Sequence, residues 1–287
     1  METHLFQEAT FDTGKVVLNY AEGPQQGTPL VMLHGGSGRW QLYSDILTEL
    51  ANQCHVYAPD LRGHGKSGWV PQGYTIRDYV EDIAAFLRDV SGPAVLMGHS
   101  LGGIIAVATT KACPTLVQAL IVADGPLDAA TWGHYLRNAR GQLTAWRDLS
   151  GGTRPVEEIE RLLGDAAEGN STLREIFGEG SPIIHELAER LYLHDPEMLG
   201  MLIEDYKNVA TGYDMETVLP AIHCPVLLVQ ADPSAGGVLT DEEVQQALTL
   251  LPNSTHVRFS GMDHMLIYDP KGPPMVAVKA FLNRLAP

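Results

Sequence analysis

Ala94-Val95-Leu96-Met97-Gly98-His99-Ser100-Leu101-Gly102-Gly103 is an apolar run that breaks into a Gly-x-Ser-x-Gly pattern. From Leu101 to Lys111 the chain continues in small and branched apolar residues. The first four residues read as a buried strand, and 101–111 as a helix. Joining the two almost without a loop demands a sharp turn, and a glycine on each side leaves room for the backbones to pass. The serine at the apex is then predicted to present its hydroxyl at the end of the strand, as a nucleophile elbow does. The five-residue pattern alone is weak. Its flanks carry the reading.

Working outward, the same rhythm recurs. Leu30 to Leu33 is a short apolar strand that feeds His34-Gly35-Gly36-Ser37-Gly38, and a helix is expected from about Trp40 to Ala51. Val56 to Ala58 is the next strand. Tyr79 to Val90 has helical periodicity, with Val80, Ile83, Phe86 and Leu87 on one face. Leu116 to Ala123 is again an uninterrupted apolar strand. The first twenty residues alternate around Asp12-Thr13-Gly14 as a hairpin would. Strands alternating with helices imply a mostly parallel sheet, and near-continuous apolar strands imply helices on both of its faces. From Gly125 to Val218 the pattern turns helical, with stretches 157–163, 184–193 and 197–209. The α/β rhythm then resumes with strands at 226–230 and 256–259 and helices at 241–250 and 275–285. A core domain of residues 1–124 and 219–287, interrupted by a helical cap at 125–218, is the simplest division.

Composition narrows the function classes. The 287 residues carry a formal net charge of −16, which argues against nucleic acid as a partner. No run approaches the roughly 18 apolar residues of a membrane span. The acidic first twenty residues lack the basic start and apolar block of a secretory signal, so a cytoplasmic protein, monomer or homodimer, is expected. Cys54, Cys113 and Cys224 are widely spaced and odd in number, with no metal-binding spacing. Neither a metal nor an organic cofactor is expected.

A serine hydroxyl needs a base. His264, in the polar loop Ser260-Gly261-Met262-Asp263-His264 beyond the last apolar strand, is the best placed of the eleven histidines. His34, His64 and His99 lie inside motif loops and read as turn and hydrogen-bond residues. The base in turn needs a carboxylate to fix its tautomer. Asp232 closes the strand Val226 to Gln230 and gives the chain order Ser100, Asp232, His264; Asp124, which ends the strand before the helical segment, is the alternative acid. The backbone N–H groups of Leu101, at the start of a helix, and Gly36, in the glycine loop, are the expected oxyanion donors, with Ser37 behind Gly36.

These residues resemble the α/β-hydrolase superfamily, in particular its capped branch of esterases, lactonases, carbon–carbon bond hydrolases and cofactor-free haloperoxidases. The resemblance covers the whole chain and rests on His34-Gly35-Gly36, on Asp60-Leu61-Arg62-Gly63-His64-Gly65-Lys66-Ser67, on the elbow and on Gly261-Met262-Asp263-His264. It implies the α/β-hydrolase fold and a structural role for 60–67. Such proteins usually place the acid a few residues beyond a glycine that ends the strand; Val229-Gln230-Ala231-Asp232-Pro233 compresses that spacing. Ser100 excludes the relatives that use an aspartate at the elbow.

The expected chemistry is cleavage of a carboxylic ester or lactone of an apolar or aromatic small molecule through an acyl-enzyme. Ser37 and, from the helical segment, Trp132, Tyr135, Trp146 and Tyr192 are candidates for the substrate pocket, with Phe177 and Met201 as further apolar material. The same triad could cleave a carbon–carbon bond or lyse a cyanohydrin, and some relatives of this type act as small-molecule receptors with little turnover.

Overall fold

The computed structural model describes residues 5–168 and 171–285. Among the described residues ten strands follow one another: β1 (Gln7–Asp12), β2 (Val17–Glu22), β3 (Thr28–Leu33), β4 (Cys54–Pro59), β5 (Ala94–His99), β6 (Val117–Ala123), β7 (Ala167–Glu168), β8 (Ser171–Thr172), β9 (Val226–Gln230) and β10 (Ser254–Arg258). Eight form one sheet in the order β1-β2-β4-β3-β5-β6-β9-β10. The β1–β2 hairpin joins antiparallel, β2 pairs antiparallel with β4, and every pair from β4 to β10 is parallel. This is the α/β-hydrolase fold, as the residues predict.

The apolar runs explain the layering. Along β3, Val31 and Leu33 enter one core cluster while Leu30 and Met32 enter the other. Leu96 on β5, Leu120 and Val122 on β6 and Leu228 on β9 join Val31; Val95, Met97, Ile121 and Leu227 join Leu30. A strand places successive side chains on opposite faces, so a continuous apolar run is what a sheet covered on both sides requires. The helix Ile76–Phe86 packs on the first face, as does Leu101–Ala112; Pro273–Leu285 packs on the second. Thr75 caps the first of these with a reciprocal hydrogen-bond pair to Asp78.

The segment between β6 and β9 is mainly helical. Trp132 and Leu136 from Ala129–Asn138, and Met198, Leu199 and Leu202 from Pro196–Glu204, merge with the first core cluster. Ile159, Leu163, Ile184, Ala188 and Leu191 form a small cluster of their own. Two local expectations change. The predicted helix 197–209 breaks at Asp205 into Pro196–Glu204 and Tyr206–Val209, and β7 and β8 pair as a two-residue ladder where no strand is expected.

The site follows from strand order. β3, β5, β6, β9 and β10 run parallel side by side, so residues 34–38, 98–102, 124, 231–232 and 259–264 all emerge at one edge of the sheet. Buried Arg62 secures the loop 60–67, donating from Nε to Asp82 Oδ2 at 2.6 Å and from Nη2 to Oδ1 at 2.7 Å. Asp60, itself fully buried, accepts from the Trp40 and Lys66 amides and from Asn19 Nδ2. Among the described residues no helix is long and apolar enough to cross a membrane, and no group of three His, Cys, Asp or Glu side chains is placed to hold a metal ion.

Candidate active site

Ser100 stands between β5 and the helix Leu101–Ala112 with φ 54° and ψ −120°, in a region that side-chain-bearing residues rarely adopt. Its N–H donates to the Ala123 carbonyl at 3.1 Å, and its own carbonyl accepts from Gly103 at 2.8 Å. The strain persists because the surroundings leave no alternative. A Cβ on Gly98 would lie 2.1 Å from the Gly102 oxygen, and one on Gly102 would lie 2.3 Å from the Leu33 oxygen. Glycine is therefore the only residue that fits either position. The turn is tight on all sides.

His264 follows β10 and is partly open to solvent, its side chain 18% exposed. Its Nδ1 lies 2.7 Å from Asp124 Oδ2. A carboxylate offers only acceptors, so the Nδ1 proton points at Asp124 and Nε2 is left for other work. Asp124 sits in the last turn of the chain out of β6, with φ 45° and no solvent exposure. Three backbone N–H groups also donate to its carboxylate: Ala231 at 3.1 Å, Val238 at 2.8 Å and Leu239 at 3.3 Å.

Asp232, the expected partner of the histidine, points elsewhere. Its Oδ1 accepts from the Ser234 amide and hydroxyl and from Arg258 Nη2, and its Oδ2 accepts from the Gly261 amide at 2.8 Å. These donors, the Gly261 and Ser234 hydrogen bonds first, hold its carboxyl well below the usual carboxylate range. Asp232 thus ties down the loop that carries His264 without touching its ring. His264 is paired with Asp124, the alternative carboxylate, and not with Asp232: the left-handed turn at 124 swings the Asp124 carboxylate across to the neighbouring β9 end.

The glycine loop after β3 lies directly over the elbow: a Cβ on Gly35 would come within 3.1 Å of the Ser100 Cβ. Gly38 N–H closes the loop on the Gly35 carbonyl at 3.0 Å. Among the described residues, the N–H groups of Gly36 and Leu101 have no acceptor, and a Cβ added to Gly36 would meet nothing within 4 Å. Ser37, also at positive φ, is buried with an unpartnered hydroxyl. Its carbonyl accepts from Arg190 Nη1 at 3.3 Å.

Of the four aromatic pocket candidates, Tyr135 comes nearest the base, its ring centroid 6.3 Å from that of His264. Trp132 is buried in the main core cluster and Trp146 packs at the seam between two clusters. Tyr192 is partly exposed beside Gly152. Two site neighbours, Tyr43 and Tyr268, carry no sequence signal beyond being aromatic: one ends the short turn after the glycine loop, the other follows His264 by four positions.

The 2-(acetamidomethylene)succinate hydrolase of Mesorhizobium japonicum is 32% identical over 114 residues, covering 39% of this chain and 41% of the relative. Lipase LipV of Mycobacterium tuberculosis is 34% identical over 103 residues, covering 36% and 39%. The chain thus spans about two fifths of the length of these curated relatives. Among solved structures, that of E-2-(acetamidomethylene)succinate hydrolase superposes with a TM-score of 0.72 at 20% identity, covering 97% of this chain and 98% of the other. The model of the alpha/beta hydrolase family matches residues 30–272. On that match, which takes in the glycine loop, the elbow and the His264 loop alike, the chain belongs to the alpha/beta hydrolase family.

Proposed function

We propose that the protein is a serine hydrolase that cleaves a carboxylic ester of an apolar or aromatic small molecule, with Ser100 as nucleophile, His264 as base and Asp124 as acid. The observation that carries this reading is the Asp124–His264 pair at 2.7 Å on the sheet edge where the strained Ser100 turn emerges. With Nδ1–H committed to the carboxylate, His264 Nε2 takes the proton as Ser100 Oγ attacks the carbonyl carbon. The Leu101 and Gly36 amides donate to the oxyanion, the former reinforced by the dipole of the helix it begins. Nε2 then returns the proton to the departing alcohol. Water enters, gives a proton to Nε2 and attacks the acyl carbon; the acyl–Oγ bond breaks, the acid is released, and Oγ takes the proton from Nε2.

The helical segment 125–218 serves in this reading as a cap over the serine, and Tyr135 lines the acyl or alcohol pocket beside His264. The names of the two curated relatives, a hydrolase and a lipase, support a hydrolytic reaction of this kind.

The test is a hydrolysis screen over acyl and alcohol sizes, run with Ser100→Ala as control. Turnover of at least one apolar ester by the wild type and none by the variant is expected. Equal rates in the two proteins would refute the assignment.

A further inference from the structure

His99, one residue before the nucleophile, is buried and makes hydrogen bonds through both ring nitrogens. Its Nε2 lies 2.8 Å from the backbone carbonyl of His264. A carbonyl only accepts, so Nε2 carries the proton and, in a neutral ring, Nδ1 is the acceptor. The Tyr43 hydroxyl supplies that donor at 2.9 Å. The same hydroxyl accepts from the Gly35 amide at 3.1 Å and from the Tyr268 hydroxyl at 3.0 Å, which fills both of its lone pairs. The Tyr43 and Tyr268 rings stack at 5.1 Å and 28°. The His99 ring lies against that of His264, centroids 4.6 Å apart and planes 33° apart.

We propose that His99 is the positioning residue of the site: through its two nitrogens it fixes the elbow, the glycine loop and the loop bearing the base relative to one another. The inference rests on the hydrolase reading above. The three loops come from three different strands, β3, β5 and β10, and would otherwise be free to drift at the open edge of the sheet. The bonds of Tyr43 to His99 and Gly35 are buried and the other two partly so, and each donor is matched to one acceptor, so the arrangement has a single way to be satisfied. Burial, and then the neighbouring His264, hold His99 well below the ordinary histidine range. It therefore stays neutral and keeps its tautomer while His264 gains and loses a proton. Against the bland alternative of a core histidine stands the identity of its partners. One is the backbone carbonyl of His264 itself, and the other, the Tyr43 hydroxyl, accepts from the backbone amide of Gly35 in the glycine loop.

The test uses the full chain and two readouts, the rate of covalent labelling by a fluorophosphonate and the steady-state hydrolysis of p-nitrophenyl acetate. His99→Phe keeps a flat ring beside His264 and removes both hydrogen bonds. A displacement of about 1 Å among reacting groups costs on the order of 100-fold. We expect His99→Phe to lose 10- to 100-fold in kcat and labelling rate, as that scale implies, with KM little changed. His99→Gln, which retains one donor and one acceptor, should recover most of the loss although its melting temperature falls as far. Tyr43→Phe, which removes the acceptor of Gly35, should lose labelling rate in the same sense and decides the matter should His99→Phe fail to fold. Wild-type rates in His99→Phe or in a folded Tyr43→Phe would overturn the proposal, as would a His99→Gln no faster than His99→Phe. A wild type that fails to label at all would instead refute the hydrolase reading beneath it.

Discussion

Asp124 Oδ2 lies 2.7 Å from His264 Nδ1, across 140 residues of sequence and over the end of β9, which separates β6 from β10. The carboxylate is fully buried, whereas the imidazole is partly open. This asymmetry suits the proposed base, whose near nitrogen is fixed by a group that water does not reach. Four donors converge on one carboxylate, so Asp124 is rigid before any substrate arrives.

Asp232 is expected to matter for stability and loop order more than for chemistry. Asp232→Asn keeps its size but weakens the hold on Gly261, Ser234 and Arg258. The melting temperature should fall, and turnover per folded molecule should drop by a far smaller factor than the triad acid would cost. Thermal melts and active-site titration of the same samples check this.

Arg62 and Asp82 form a buried two-point ion pair, 1% and 3% exposed. Removing one partner from such a pair strands the other charge, at a cost of about 3–5 kcal/mol. Arg62→Leu should therefore destabilise the fold by that order in denaturant titration, while folded molecules keep their affinity for substrate. Unchanged stability would deny the structural role assigned to the loop 60–67.

Gly98 has no space for a side chain. Gly98→Ala places a methyl group 2.1 Å from the Gly102 oxygen, and overpacking of this kind costs at least about 1–3 kcal/mol. The elbow must open to accept it. A lower melting point accompanied by loss of fluorophosphonate labelling is expected.

Acid should unfold the protein early, for a reason other than the proposed chemistry. His34, His64 and His194 are buried in a row, with ring centroids 5.0 and 4.4 Å apart. Burial is the leading cause that pushes His34 down to about 4 and His64 down to about 3, and it drives His194 well below the usual range. The unfolded chain takes up protons near pH 6.5, whereas the folded chain resists until about pH 4 or below at these positions. The stability they contribute is complete above about pH 6.5 and is lost as pH falls toward 4, by about 1.4 kcal/mol per pH unit for each histidine. A melting temperature that declines across this window, less steeply in His64→Gln, is the expected result.

Much of this was legible in the residues. The apolar strands at 30–33, 94–97, 116–123 and 226–230 announce a two-sided sheet because period-2 burial on both faces leaves no polar position. The elbow is legible because Gly98 and Gly102 answer a steric demand that no other residue meets. The acid was not. Asp124 and Asp232 both end strands at the same edge, and only the backbone turn at 124 and the competing donors around 232 decide which carboxylate faces the imidazole. Such donors, Gly261 and Ser234 among them, are tertiary and leave no mark in spacing. The positions of Trp132 and Tyr135 illustrate the same limit: three residues apart on one helix, one fills the core and the other approaches His264.

The most direct measurement is kcat for hydrolysis of a model ester by Asp124→Asn beside Asp232→Asn and the wild type. An amide at 124 can present its own N–H to Nδ1 and favour the wrong tautomer, and loss of this support costs about 10⁴-fold in a serine triad. A fall of that order is expected for Asp124→Asn alone. Near-normal turnover by Asp124→Asn, with Asp232→Asn inactive though folded, would contradict it.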